Sequence, residues 1–512
     1  MRKLPIGIQT FSEIIEENYV YVDKTKWILD LLNAGKYLFF ARPRRFGKSL
    51  LISTLDSIFR GRKHLFSGLY IEDKIEWKEY PVIRLDLSTC QTDSPQNLEI
   101  SLKESLQVIA ENYSVSLESP LVSGQLRELI RKLSARGRVV ILIDEYDKPI
   151  VDRLTDLELA GKMRDVLKNF YSVLKGSDEY IKSVFITGVS KFSQVSIFSG
   201  LNNITDISFF PEFSSLLGYT QEELESCFSD RMSYLKNRTG MNEQEILNKM
   251  KFWYNGYSWD GTTRVYNPFS VLNFFNTGEF HNFWFQTGTP TFLIRHIKAE
   301  KISVPSMENI EASPETFESS GIEETSFHSL LFQTGYLTVR EIRIRNNEKR
   351  YILDYPNEEV KRSFFVHILN SFLDGKKSVG QVSPIVQDMN SDLRNNDLNS
   401  FILRLRSIFA SIPYTLHIDS EAYYHSLFYM ILKLIGCRID LEVLSSEGRA
   451  DGILEFSDRI YVIELKLDSP EKAIEQIHKK GYHNPYLSSG KKIYLLGIGY
   501  LNRTTEFILE EI

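Results

Sequence analysis

The 512-residue sequence predicts an α/β protein: a parallel sheet flanked by helices toward the N-terminus, a helical middle region, and a smaller α/β domain at the C-terminal end. Up to about residue 215, short apolar runs (KYLFFA, PVIRLDLS, RVVILIDEYD, KSVFITGVS) alternate with helical patterns, as parallel strands joined by crossover helices do. From Gly218 the pattern turns helical. Near the C-terminus DGILEFSDRIYVIELK, Asp451 to Lys466, reads as two short strands around a Ser457-Asp458 turn.

In the first region RPRRFGKS, Arg42 to Ser49, follows the strand KYLFFA and precedes the helical LLISTLDSIF. In a strand, loop, helix setting, GK[ST] wraps a phosphate in backbone N–H groups at a helix N-terminus; Lys48 then reaches the outer phosphates and Ser49 binds Mg2+. Arg42, Arg44, Arg45 and Lys48, with no acid among them, suit a polyphosphate. The position of the first glycine in G-x-x-x-x-G-K-[ST] holds Arg42, a departure that leaves the path of the loop open. Further on, VVILIDEYD ends an apolar strand in Asp144 and Glu145. Asp144 is expected to hold Mg2+ through water, and Glu145 to orient or deprotonate an attacking water. The next strand ends in Thr187 and Ser190, either of which can sense a γ-phosphate, and no arginine finger is assignable.

In the middle region Thr220 to Glu223 forms a capping-box pattern that opens a helix. The aromatic stretches WYNGYSW and FHNFWFQTG, between residues 250 and 300, read as core. Tyr336 to Tyr355 reads as a hairpin around Asn346-Asn347-Glu348, set between two helices as in a winged-helix fold. Gly375 to Asn399, polar and rich in Ser, Asn and Asp, reads as a linker.

The C-terminal hairpin carries chemistry. With a two-residue loop at Ser457 and Asp458, Phe456 faces Arg459, each facing pair of numbers sums to 915, and Asp451 faces Glu464. Like charges so placed are destabilising unless a cation stands between them. Glu464 and Lys466, two apart on a strand, point to the same face. Charged residues also guard ordinary sheet edges, so an edge hairpin with solvated acids is the competing reading. From Gln476 to Thr505 there is no acid, while Lys479, Lys480, Lys491, Lys492 and Arg503 alternate with Tyr482, Tyr486 and Tyr494. That stretch suits either a nucleic-acid backbone or a solvated face.

Composition sets the outer limits. The length predicts two or three domains, and 42% hydrophobic residues are ample for folded cores. A net charge of −6 means that contact with nucleic acid must come from a local basic surface. Cys90, Cys227 and Cys437 form no C-x-x-C pair, which argues against a zinc site or a disulfide framework and fits a reducing cytoplasm. The N-terminal segment is interrupted by Glu13, Glu16 and Glu17, and no apolar run is long enough for a membrane span, so neither export signal nor membrane anchor is expected.

Taken in order, YVDKT, RPRRFGKS, ILIDEYD, FITGVS, GLNNITDIS, LGYTQEEL, WYNGYSW, YNPFS, LLFQTGYL, YPNEEV, GRADGIL and VIELK resemble the blocks of bacterial and archaeal AAA-ATPase-like proteins with a C-terminal PD-(D/E)XK nuclease-superfamily domain. The resemblance covers nearly the whole chain. It implies a P-loop AAA-like ATPase domain over residues 1–215, a helical or winged-helix-like middle region with linker over 216–400, and a restriction-endonuclease-like α/β domain over 401–512. It places the nuclease core's first acid on Glu421, the metal-binding acids on Asp451 and Glu464, the lysine on Lys466 and the glutamine of the following helix on Gln476. The expected cofactors are ATP and Mg2+. Arg45, Phe46, Gly47, Lys48, Ser49, Leu50, Asp144 and Thr187 are the candidate nucleotide contacts, with Glu145 catalytic and Ser49 and Asp144 toward the metal. The implied activity is ATP turnover that gates or powers Mg2+-dependent cleavage of nucleic acid, expected to be DNA, in defence or mobile-element biology, with a homo-oligomer left open. The alternatives are a nucleotide-dependent switch and a nucleic-acid-binding ATPase that does not cut.

Overall fold

The computed structural model describes residues 1–191, 197–198, 203–284, 293, 296–297, 304–317, 326–372, 379–410, 421–435, 450–501 and 504–512. The chain divides into two compact units, one of Met1–Gly288 with Glu308–Val360, the other of Thr289–Met307 with Lys361–Ile512.

The first unit is built on β1 (Tyr37–Ala41), β2 (Val82–Asp86), β3 (Val139–Asp144), β4 (Ile181–Gly188) and β5 (Thr205–Asp206), all parallel in the order β2-β3-β4-β1-β5. YLFFA and VVILID are buried along their full length, as strands covered on both faces must be. On one face Phe39, Ile141, Ile143 and Ile186 pack with Leu98, Leu102 and Leu106, four apart on the helix Pro95–Asn112, and with Leu126, Leu129 and Leu133 of Val122–Ser134. Because β4 lies between β1 and β3, its end stands between the loop after β1 and the acids after β3: Phe40 pairs with Thr187, and Ile143 with Ile186.

In the same unit the helix Gln221–Cys227 opens on the expected Thr220 and Glu223 capping box, and Glu223 also takes the ammonium of Lys24 at 2.6 Å. Tyr254, Tyr257, Trp259 and Tyr266 are buried, so the aromatic stretch is core as expected. The strands β6 (Ile310–Ala312), β7 (Thr338–Arg345) and β8 (Glu348–Asp354) form a sheet in the order β6-β8-β7. The β7 and β8 hairpin turns through Asn346 and Asn347 at φ 51° and 63°, the doubly left-handed turn that matches strand twist.

In the second unit β9 (Gly452–Glu455), β10 (Arg459–Lys466), β11 (Lys492–Leu501) and β12 (Thr504–Glu511) form a sheet in the order β12-β11-β10-β9. A helix at Pro470–Lys480 carries the crossover between the parallel pair β10 and β11. The linker expected over Gly375 to Asn399 is corrected: with α1 naming Lys48–Phe59 of the first unit, the second unit has the helices α2 (Val379–Arg394), α3 (Leu398–Ala410), α4 (Glu421–Ile435) and α5 (Pro470–Lys480). Most of that polar stretch is α2, whose Val386, Met389 and Leu393, spaced three and four apart, are buried. A narrow apolar stripe suffices to dock a helix that reads as polar on average.

Candidate functional sites

The loop between β1 and α1 begins at Arg42 and ends at Gly47, which takes φ +93° as the residue capping α1 and so requires glycine. Leu51 N–H bonds to the Gly47 carbonyl, and the N–H groups before it face outward at the helix start. Lys48 is buried, its Nζ donating to the carbonyls of Arg42 and Pro43 at 3.0 and 3.1 Å. Burial lowers its pKa, opposed first by the charge of Glu145. Glu145 sits at φ 48°, and burial raises its carboxyl against the pull of Lys48. Left-handed backbone at a non-glycine residue is strain that a surrounding structure must hold in place, and Arg45 shows it too, at φ 71°.

These residues line a cleft of about 340 Å³ at the carboxyl ends of the strands, where parallel sheets take their ligands. Arg44, Arg45, Lys48, Ser49 and Glu145 form its polar side, with Gly47 and Leu50 beside them. Pro5, Gly7, Ile8, Tyr219, Pro268 and Phe269 form an apolar wall that sequence reasoning did not identify, because these residues come from three distant stretches with no shared period.

Several expected residues stand elsewhere. Arg42 does not face the cleft: it is buried, and its guanidinium donates to backbone carbonyls. The side chain of Phe46 is also buried, packed edge-on against Tyr257 and Trp259 at 4.8 and 5.6 Å. Asp144 is buried and accepts from the Thr187 hydroxyl at 2.7 Å, so Thr187 touches Asp144 and does not line the cleft. The Ser190 hydroxyl and the N–H groups of Val189 and Ser190 all donate to Asp147. Asp147, the last acid of DEYD, is therefore the clip that holds the turn after β4; Gly188 is confined there, since a Cβ would lie 2.5 Å from Asp147 Oδ1.

In the C-terminal sheet β9 pairs antiparallel with β10 from Glu455 with Ile460 to Gly452 with Ile463, and Phe456 N–H donates to the Arg459 carbonyl at 2.8 Å. The register is the one the two-residue turn predicts, and it puts Asp451 across from Glu464. Asp451 N–H reaches Glu464 Oε2 at 3.4 Å, and Leu465 N–H donates to Asp451 Oδ2 at 2.8 Å. Lys466 Nζ lies 3.4 Å from Glu464 Oε1. From α5, Gln476 Nε2 donates to the same oxygen at 2.5 Å and lies 3.4 Å from the Tyr482 hydroxyl. Glu464 is 1% exposed. Burial, and then the charge of Asp451, push its carboxyl up to about 7 against the opposing pull of Lys466.

This donor set suits Mg2+, a hard cation that binds through one or two carboxylates and keeps several waters. Among the described residues no three His, Cys, Asp or Glu side chains gather as a metal cluster. Glu421 begins α4, and its side chain lies outside the described residues, as do Cys437 and Arg503. The expected basic surface is narrower than its sequence: Lys491 pairs with Glu455 at 2.7 Å, Lys492 pairs with Glu511 at 3.0 Å, and Tyr494 is buried against Tyr461. The acid-free window ends one strand too early, because antiparallel β12 returns Glu510 and Glu511 beside β11.

Among the described residues no helix is long and apolar enough to cross a membrane. Residues 5–198 match the family described as "Predicted AAA-ATPase", and residues 419–511 match the PD-(D/E)XK nuclease superfamily. A protein of Azotobacter chroococcum mcd 1, named "Uncharacterized protein in vnfD 5'region", is 38% identical over 511 residues, covering 98% of this chain and 96% of its own. The chain belongs to the family of AAA-ATPase-like proteins that carry a C-terminal PD-(D/E)XK nuclease-superfamily domain.

Proposed function

We propose that this chain hydrolyses ATP and cleaves DNA phosphodiester bonds with Mg2+, in the cytoplasm, nucleotide turnover gating or powering the cut. The observation that carries the reading is the pairing of Asp451 with a buried Glu464 whose carboxyl is contacted by both Lys466 and Gln476. A carboxylate half-exposed at Asp451 beside one buried at Glu464 is costly for an ordinary edge hairpin and is what a cation site requires.

When bound, Mg2+ would offset charge on the phosphate and lower the pKa of a water. Asp451 and Glu464 would hold it, with Glu421 as a third candidate. Lys466 would donate to the phosphate or orient the nucleophile. Gln476 keeps Glu464 turned toward Asp451. In the other cleft Lys48 would meet the outer phosphates of ATP, Arg44 and Arg45 would screen their charge, and Ser49 would hold the metal, with Asp144, buried behind the cleft, reaching it through water. Glu145, raised by burial, would take a proton from the attacking water.

The test is purified protein with labelled DNA, with and without ATP and Mg2+. Cleavage that needs Mg2+ and responds to ATP is the expected result. ATP hydrolysis with intact DNA under every condition would favour the nucleotide-dependent switch.

A further inference from the structure

We propose that Arg42, standing where a phosphate loop ordinarily begins with glycine, is a positioning residue that sets Lys48 for the phosphates by fastening the loop to the aromatic block around Trp259. The inference rests on the phosphate-loop reading above.

The Arg42 guanidinium lies between two rings, 4.2 Å from the centre of Phe40 and 3.7 Å from that of Trp259. Its two terminal nitrogens donate, Nη1 to the carbonyls of Ala41 and Ser208 at 2.9 and 2.8 Å and Nη2 to that of Phe213 at 3.2 Å. A planar cation is the side chain that can stack on both faces and donate in its own plane. Burial lowers its pKa to about 9, still above neutrality, with Asp206 and Asp260 supplying compensating charge. The backbone of the same residue is pinned as well, its N–H donating to the Gly188 carbonyl at 3.2 Å.

The carbonyls of Arg42 and Pro43 are the ones that take Lys48 Nζ. Fixing Arg42 therefore fixes the acceptors that aim the ammonium. Two further contacts hold the rest of the loop from the same side: the Trp284 indole N–H donates to the Arg44 carbonyl at 3.3 Å, and the Phe46 ring meets Tyr257 and Trp259. A loop anchored at its first, third and fifth residues has little freedom left for Lys48 to lose on binding phosphate, which is the benefit of preorganisation.

The experiment is a double-mutant cycle on the full chain, read as ATP affinity without turnover, for wild type, Arg42→Lys, Lys48→Ala and the pair. Arg42→Lys keeps the charge but loses the planar fork, and should weaken ATP binding about 10- to 100-fold, within the range of coupling between groups that share a contact network. In the Lys48→Ala background the same change should matter little, since the group it positions is gone. An equal loss in both backgrounds would mean that Arg42 only supports the fold and would overturn the inference. So would wild-type affinity in folded Arg42→Lys. If Lys48→Ala alone leaves ATP affinity unchanged, the phosphate-loop reading itself fails and takes this inference with it. Trp259 gives a second route that leaves Arg42 in place: Trp259→Phe, which keeps a ring face, should retain affinity, and Trp259→Leu should lose it. Equal affinity in these two variants would also overturn the inference.

Discussion

Glu359 in the first unit and Glu464 in the second are both buried glutamates whose carboxyls are pushed up to about 7, and they stand in different surroundings. Glu359 accepts from the Ser270 hydroxyl at 2.7 Å and from Trp284 N–H at 2.8 Å; burial raises it and these hydrogen bonds pull it back. Glu464 meets the charges of Asp451 and Lys466 beside an amide from another element. A raised carboxyl therefore marks burial, while opposed charges converging on it mark a candidate site.

The comparison breaks most visibly in activity. Glu464→Gln is expected to reduce Mg2+-dependent DNA cleavage about a thousandfold, the several kcal/mol that a positioned metal supplies, whereas Glu359→Gln keeps a carbonyl oxygen for Trp284 N–H and turns an NH2 to the Ser270 hydroxyl, which then accepts where it had donated, and should cleave near the wild-type rate. Rates on labelled DNA decide it; similar rates for the two variants would remove Glu464 from the site.

The next difference is in pH. The folded pKa of Glu359, about 7, lies above the ordinary glutamate value near 4.3, so the native state holds its proton more tightly than the unfolded chain. Its contribution to stability is complete below about pH 4 and is lost as pH rises through about 7. Between pH 5 and pH 8 the wild type should lose up to about 3 kcal/mol relative to Glu359→Gln, measured by urea unfolding at both values. Parallel profiles would show that Glu359 does not titrate in this range.

How far these sites can be read from sequence depends on the range of the contacts that make them. The hairpin register was readable because strand side chains alternate with period two and the turn is two residues long, which places Asp451 against Glu464 with no distant information. Gln476 came through its family block, and its contact with Glu464 is twelve residues long. The role of Arg42 was not readable, since Ser208 and Phe213 lie 166 and 171 residues away and leave no local period. Which of the two readings of the basic stretch suits Lys491 and Lys492 was hidden for the same reason, since their partners Glu455 and Glu511 lie outside the window.

A smaller effect separates orienting from ligating. Gln476→Ala leaves both acids in place and removes the amide that turns Glu464, and partners of this kind typically contribute about 10- to 100-fold. Cleavage should fall by that amount and be partly restored by excess Mg2+. A loss as complete as that of Glu464→Gln would make Gln476 a direct participant.

The smallest effect is the sharpest test of the paired acids. Asp451→Asn keeps an oxygen to accept Leu465 N–H, the 2.8 Å contact, and removes one of two facing charges. In metal-free protein above pH 7, where Glu464 is ionised, the substitution should relieve repulsion and stabilise the second unit by about 0.5–1 kcal/mol, as is common where a functional site carries conflict. At pH 5.5 Glu464 is protonated in the folded state, since its carboxyl sits at about 7, and the gain should vanish. Mg2+ should raise the Tm of wild type by binding the folded state alone and do so much less in the variant. Both measurements are best made without nucleotide and in a Lys48→Ala background, so that the other cleft does not report. A stabilisation independent of pH would trace to packing, and equal Mg2+ stabilisation of variant and parent would place the metal somewhere other than between Asp451 and Glu464.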